Sequence, residues 1–283
     1  MKLKATLASL TLSSMLISTA NAEISYQHIR NATAKITYGN ATFLVDPYLA
    51  EKGKYAGFAG TKNSEQRNPM IDLSEPVENI LKGIDAVIVT HTHDDHWDEV
   101  AQKLIDKNLP IFVQDANDAK IIRSQGFKDV RVVGKNTEFK QVKLSKTGGQ
   151  HGTDAMYSNP ALAELLGNAM GVVFKSKNEK TLYIVGDTIW NEQVEMALNQ
   201  YKPEVIVMNT GHAELGNSSD SIIMGTADVA KMAKTMPNSS IITVHMDSVN
   251  HATTSKSDMK AFIKGANFEK RVYVPNESEV LKY

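Results

Sequence analysis

Short apolar, β-branched runs alternate along this chain with segments whose apolar residues recur at helical spacing. Ala34 to Tyr38 and Ala41 to Val45 flank Gly39-Asn40, which predicts two strands joined by a tight hairpin turn. Residues 85–90 are almost continuously apolar, the pattern of a strand buried on both faces. Within 98–107 the apolar residues Val100, Leu104 and Ile105 predict a helix, and 110–114 predicts another strand. Asp115 opens a further helix carrying Ala119, Ile121 and Ile122. Strands are then predicted at 172–174, 181–185, 205–208 and 241–244, with helices at 191–200, 226–235 and 257–264 between and after them. Such alternation predicts sheets covered by helices, an α/β or α+β layered architecture. The polar, glycine-bearing stretches 52–69 and 146–159 read as long loops, and loops of that length usually carry function.

The first 22 residues differ in kind. Lys2 and Lys4 precede an apolar stretch, Leu7 to Ile17, and Ala20-Asn21-Ala22 supplies a small-x-small cleavage pattern. This is the form of a secretory signal peptide, which predicts export and a mature chain of residues 23–283 in the periplasm or outside the cell. The apolar part is too short and hydroxyl-rich for an anchor, so no stable membrane insertion is expected.

Composition narrows the chemistry. The chain has 283 residues, 42% of them hydrophobic, and no cysteine. The last fact excludes disulfides, thiolate metal sites and cysteine nucleophiles, so any metal must sit on His, Asp or Glu. Lys plus Arg is 31 against 32 Asp plus Glu, and removing Lys2 and Lys4 with the leader leaves 29 against 32, a net charge of −3. That balance argues against a nucleic-acid partner and leaves a small-molecule substrate. Oligomeric state is not legible.

The candidate chemistry begins directly after the buried strand, at His91-Thr92-His93-Asp94-Asp95-His96. Histidine is the commonest neutral metal ligand, and a carboxylate adds a hard oxygen donor. In a turning segment His91 and His93 project to one side and can hold one ion, while Asp95 and His96 can hold a second. Two ions about 3.5–4 Å apart can share one water, as in dinuclear hydrolases. Further ligands are needed. His151 lies between Gly149 and Gly152, Asp187 follows Gly186, and His245 closes the run Ile241 to Val244; each is expected at the carboxyl end of a strand. His212, in Asn209-Thr-Gly-His212, competes with His245 for the last place.

Taken together these residues resemble the metallo-β-lactamase fold hydrolases: a His-x-His-x-Asp-His stretch at 91–96, then His151, Asp187 and His245, in order. The stretch Phe43-Leu-Val-Asp-Pro47 and the segment Asn68-Pro-Met-Ile-Asp72 are most similar to the branch containing ascorbate-6-phosphate lactonase and the N-acylphosphatidylethanolamine phospholipase D-like enzymes. The resemblance implies an α/β fold, a four-layer αββα sandwich, over nearly the whole mature chain. It also implies that His91, His93 and His151 hold a first metal, Asp95, His96 and His245 a second, with Asp187 bridging. Two divalent ions are expected, Zn2+ by default, with Mn2+ or Fe2+ also compatible with an oxygen-rich second site. A true β-lactamase is disfavoured: the thiolate-bearing branch needs a cysteine, and the cysteine-free branch lacks the carboxylate found here at Asp187.

The resulting expectation is a metal-dependent hydrolase in which a bridging hydroxide attacks an ester, lactone or amide carbonyl. Asp95 takes up a proton, and His212 contacts the substrate or donates to the transition state. Phosphodiester cleavage at the same centre is the alternative, which the lack of a basic cluster near the motifs disfavours. A non-catalytic metal-binding or sensor protein is the alternative of another class, against which all seven ligand positions are filled. Asp46 either orients a ligand histidine or only initiates a turn, and His251 is a candidate for orienting a ligand or substrate. His28 reads as structural, preceding the first strands. Loops 52–69 and 152–170 are the expected pocket walls, with Tyr48, Tyr55, Phe58 and Met156 as candidate lining.

Overall fold

Alternate residues of the central strands face two different cores, and this sorts the whole architecture. The computed structural model describes residues 23–216 and 218–283, so the leader lies outside the described residues. One sheet runs, in spatial order, β14 (Val280–Lys282), β1 (Ser25–Arg30), β2 (Thr33–Tyr38), β3 (Ala41–Val45), β4 (Ala86–Val89), β5 (Ile111–Val113), β6 (Val130–Val132). The other runs β13 (Val272–Tyr273), β12 (Ser240–Val244), β11 (Val205–Asn209), β10 (Leu182–Ile184), β9 (Gly171–Lys175), β8 (Val142–Thr147), β7 (Thr137–Phe139). In β4, Ala86 and Ile88 enter the core between the sheets, while Val87 and Val89 enter an outer core. In β11, Val205 and Val207 face inward and Ile206 and Met208 outward. Two-sided burial is why these strands read as unbroken apolar runs.

Helices close both outer cores. α1 (Val77–Leu81), α2 (Glu99–Leu104) and α3 (Ala116–Ser124) place Ile80, Ala101 and Ile122 on the first sheet. α6 (Glu192–Tyr201), α7 (Thr226–Thr235) and α8 (Lys256–Gly265) place Leu198, Met232 and Met259 on the second. The result is the expected four-layer αββα sandwich. Among the described residues no helix is long and apolar enough to cross a membrane.

The predicted hairpin forms: β2 and β3 pair antiparallel with Tyr38 opposite Ala41, and Gly39 takes φ +56°. Four expectations are corrected. His28 does not precede the strands but lies within β1, whose partner β14 comes from the far end of the chain. The stretch 146–159 is not one loop: β8 extends to Thr147, and α4 (Asp154–Tyr157) begins where the Thr153 hydroxyl accepts from Met156 N. The wall 152–170 likewise contains α5 (Pro160–Leu166), started by the Asn159 cap with proline in its first turn. The helix expected over 98–107 is shorter, because Ile105 already adopts an extended backbone.

β3 and β4 run parallel, as do β10, β11 and β12. Their carboxyl ends therefore gather along one rim, where Asp46, His91, Asp187 and His245 follow directly.

Candidate metal centre

The strand ends bring seven side chains together. Three ligand groups, each with its donor atoms within 4.8 Å of one another, are His91 with His93 and His151, Asp95 with His96 and His245, and His91 with His96 and Asp187. The first two are the two sets implied by the resemblance. Asp187 lies between them: its Oδ2 is 3.2 Å from His96 Nε2, 3.5 Å from His245 Nε2 and 3.7 Å from His151 Nε2. Gly186 makes this approach possible, since at φ +77° a Cβ would stand 2.3 Å from the Met170 carbonyl.

Hydrogen bonds at the far nitrogens fix four tautomers. His91 Nδ1 donates to Thr90 Oγ1 (3.2 Å), His93 Nε2 to the Leu165 carbonyl (3.1 Å), His151 Nδ1 to the Ile222 carbonyl (2.9 Å) and His96 Nδ1 to Asp46 Oδ2 (2.9 Å). Their remaining nitrogens carry bare lone pairs aimed inward. His91 Nε2 stands 3.0 Å from His93 Nδ1, and His96 Nε2 stands 3.2 Å from His245 Nε2. Lone pairs held this close repel unless a cation or a proton sits between them. Two buried carboxylates, Asp95 and Asp187, add negative charge at the same point. The donor set fits divalent cations.

The ion-free electrostatics say the same. Burial disfavours charge on His96, but Asp187, Asp95 and Asp46 outweigh it and hold the imidazole well above its usual range. His91 is driven well below that range by burial and by the neighbouring His96 and His93. Burial works against the charge on Asp187, yet His96 and His245 hold its carboxyl well below the usual carboxylate range.

Residues outside the expected set shape the centre. Asn31, in the β1–β2 turn at φ +54°, donates Nδ2 to both the backbone oxygen and Oδ2 of Asp95, each at 3.2 Å. Its carbonyl accepts from His245 N. Asn209 donates to Asp187 Oδ1 at 2.5 Å, leaving Oδ2 for the ligand groups. Asp46, of the two roles open to it, takes the orienting one. No local signal marks Asn31 or Asn209, because only tertiary pairing gives either a partner.

A cavity of about 350 Å³ opens over the centre. Phe58, Ala59, Leu165, Leu166, Leu215 and Ile222 wall it, and His93, Asp95, His151 and Asp187 form its floor. Thr61, Thr92, Asp94 and His251 complete the lining, and among the described residues no lysine or arginine does so. Of the aromatic and methionine candidates only Phe58 lines it: Tyr48 is buried against Tyr55, and Met156 packs with Leu166 and Ile222. His212 is not brought there. Its side chain is 39% exposed with Nε2 3.6 Å from Glu214 Oε1, and it joins neither the ligand groups nor the lining.

Comparison with known proteins agrees with this geometry. The family described as Beta-lactamase superfamily domain matches residues 42–246. UPF0173 protein YddR of Bacillus subtilis (strain 168) is 43% identical over 254 residues, 89% of this chain and 96% of the relative. The crystal structure of a possible metal-dependent hydrolase from Veillonella parvula DSM 2008 superposes with a TM-score of 0.91 at 52% identity, covering 92% of this chain and 99% of that one. The isothiocyanate hydrolase from Delia radicum gut bacteria superposes with a TM-score of 0.88 at 41% identity, covering 91% and 98%. The chain belongs to the β-lactamase superfamily and is a metal-dependent hydrolase with the metallo-β-lactamase fold.

Proposed function

We propose that this hydrolase acts on a small, uncharged, electrophilic carbon compound of the isothiocyanate type, with esters and lactones as the neighbouring class. One observation carries the reading: the cavity over the ligand groups is walled by apolar side chains and holds acids but no lysine or arginine. A phosphodiester would bring an anion into that space without a cationic side chain to receive it. The name of the 41% identical isothiocyanate hydrolase supports the same class. It turns the substrate reading away from the lactonase and phospholipase D-like branch.

His91, His93 and His151 would hold one cation and Asp95, His96 and His245 a second, with Asp187 shared. Divalent ions bound there acidify water and polarise the group under attack, Zn2+ being the default for such donors. The chain's own residues do the rest. Phe58, Leu165 and Leu215 receive the organic substituent and exclude bulk water. Asp95, held by Asn31, is placed to accept a proton from attacking water and return it to the leaving nitrogen. For an isothiocyanate the balance is R–N=C=S plus H2O giving R–NH2 and COS: oxygen bonds to carbon, the carbon–nitrogen bond breaks, and both protons finish on nitrogen. We also propose that the chain is exported and acts in the periplasm or outside the cell, on the strength of residues 1–22.

The test is metal analysis of purified protein, followed by a panel of aryl and alkyl isothiocyanates, esters, lactones and phosphodiesters. Amine release from isothiocyanates at the highest kcat/KM is expected. Preferential phosphodiester cleavage would overturn the substrate class, and so would metal-loaded protein inert toward the isothiocyanates, esters and lactones of the panel.

A further inference from the structure

His251 belongs to none of the three ligand groups, yet its side chain lines the cavity above them and the residue is only 6% exposed. Its Nδ1 is buried without a hydrogen-bond partner. Phe58 meets the ring edge-on, with centroids 5.1 Å apart and planes at 87°, so the ring plane is held. The backbone is held too: the His251 carbonyl accepts from Glu214 N, and Ala252 bridges to Ala213. Next door, Asn250 bonds to Phe58 N, Thr61, Lys62, Asn63 and Asn68, tying the loop that carries Phe58 to the segment that carries His251. Burial pushes the imidazole down to about 4, against the pull of Asp95, so at neutral pH the ring is uncharged.

A neutral imidazole carries one N–H and one lone pair. Burying such a group with a nitrogen unsatisfied is unfavourable, and an apolar residue of similar size would fill the same place without that cost. Its place in the cavity lining, with the ring held edge-on by Phe58, puts the imidazole within reach of what fills the cavity. We propose that His251 is a substrate-binding residue of this enzyme, hydrogen-bonding the heteroatom of the electrophilic group, the nitrogen of an isothiocyanate or the alkoxy oxygen of an ester, as it lies over the metal centre. For the identity of that heteroatom the proposal rests on the substrate class given above. The placement of His251 does not depend on it.

The experiment compares metal-loaded parent protein with His251→Leu and His251→Gln. Metal per chain and melting temperature should be unchanged, since His251 holds no ion and Leu suits an apolar wall. Turnover by His251→Leu of benzyl isothiocyanate, or of p-nitrophenyl acetate if the parent prefers it, should fall about a hundredfold, the usual loss for one donor at the reacting group. His251→Gln should recover most of that loss, because its amide donates. The affinity of thiocyanate ion, measured calorimetrically, should fall about tenfold in His251→Leu, as for one lost hydrogen bond. A parent that cleaves the ester but no isothiocyanate overturns the substrate class and leaves the His251 comparison to be read on the ester. If the parent cleaves neither, thiocyanate affinity decides. His251→Leu within about twofold of the parent in every quantity that can be read overturns the proposal.

Discussion

Asp46 Oδ2 lies 2.9 Å from His96 Nδ1, and both residues are almost wholly buried. The same carboxylate accepts Thr90 N at 2.7 Å and Thr90 Oγ1 at 2.8 Å, and Thr90 Oγ1 in turn accepts from His91 Nδ1. One acid from the end of β3 thereby sets the tautomer of a histidine in each ligand group. Removing its charge should loosen both. Asp46→Asn is expected to weaken metal affinity by about ten- to a hundredfold, as is usual for partners that orient a ligand. Metal titration followed by a competing chelator checks this, and unchanged metal affinity would contradict the orienting role.

Asp187→Asn should keep the fold, because Asn209 still finds an oxygen to donate to. The charge shared between the two ligand groups is lost. Turnover is expected to fall at least about a hundredfold, equivalent to about 2.7 kcal/mol of barrier. His212→Ala should cost much less, given its position outside the cavity lining. A larger loss in the His212 variant than in Asp187→Asn would reverse their roles.

Asn250→Ala should act on substrate fit. Its side chain and backbone make the bonds that hold residues 58–68 over the cavity, while touching no ligand. KM is expected to rise more than kcat falls, with metal content unchanged. Steady-state kinetics across substrates of increasing size read this directly, and an equal loss in kcat alone would point to the centre instead.

His28 sets a pH dependence of stability. Both ring nitrogens are buried without partners, and burial, with the charge of Lys256, pushes its pKa from 6.5 down to about 3. The unfolded chain therefore binds a proton below pH 6.5 that the folded chain refuses. The contribution is fully present above that pH and is lost as pH falls toward about 3, by up to about 1.4 kcal/mol per pH unit. Denaturant melts of His28→Leu and parent should coincide in pH slope above pH 7 and diverge below 6, the variant falling less steeply. Parallel curves would show that His28 titrates normally.

Export is testable on the protein made in its host. Cleavage after Ala22 should give a mature amino terminus at Glu23. Mass spectrometry of the periplasmic fraction checks it, and protein that begins at Met1 in the cytoplasm would refute export.

The candidate ligand cluster was legible because its signal is local. Six consecutive residues, 91–96, carry three histidines and two acids behind a strand whose double burial is written as an apolar run. Asp187 and His245 follow β10 and β12, whose parallel pairing through β11 places their ends on one rim, and His151 follows β8, which runs the same way as β10 because both pair antiparallel with β9. Periodicity likewise reports the two-faced strands and the helices that cover them, since each residue's burial there follows from the element's own geometry. What stayed invisible depends on partners far along the chain. β14 is short and largely exposed, and it becomes a strand only by pairing with β1 more than two hundred residues earlier. Asn31, Asn209 and Asn250 are unremarkable as letters, yet they orient Asp95, orient Asp187 and hold the cavity wall. His212 and His251 both looked eligible for the site. Only packing separated them, turning His212 out toward Glu214 and His251 in beside Phe58, because an imidazole's role is set by which surface its backbone segment lies against rather than by its neighbours in sequence.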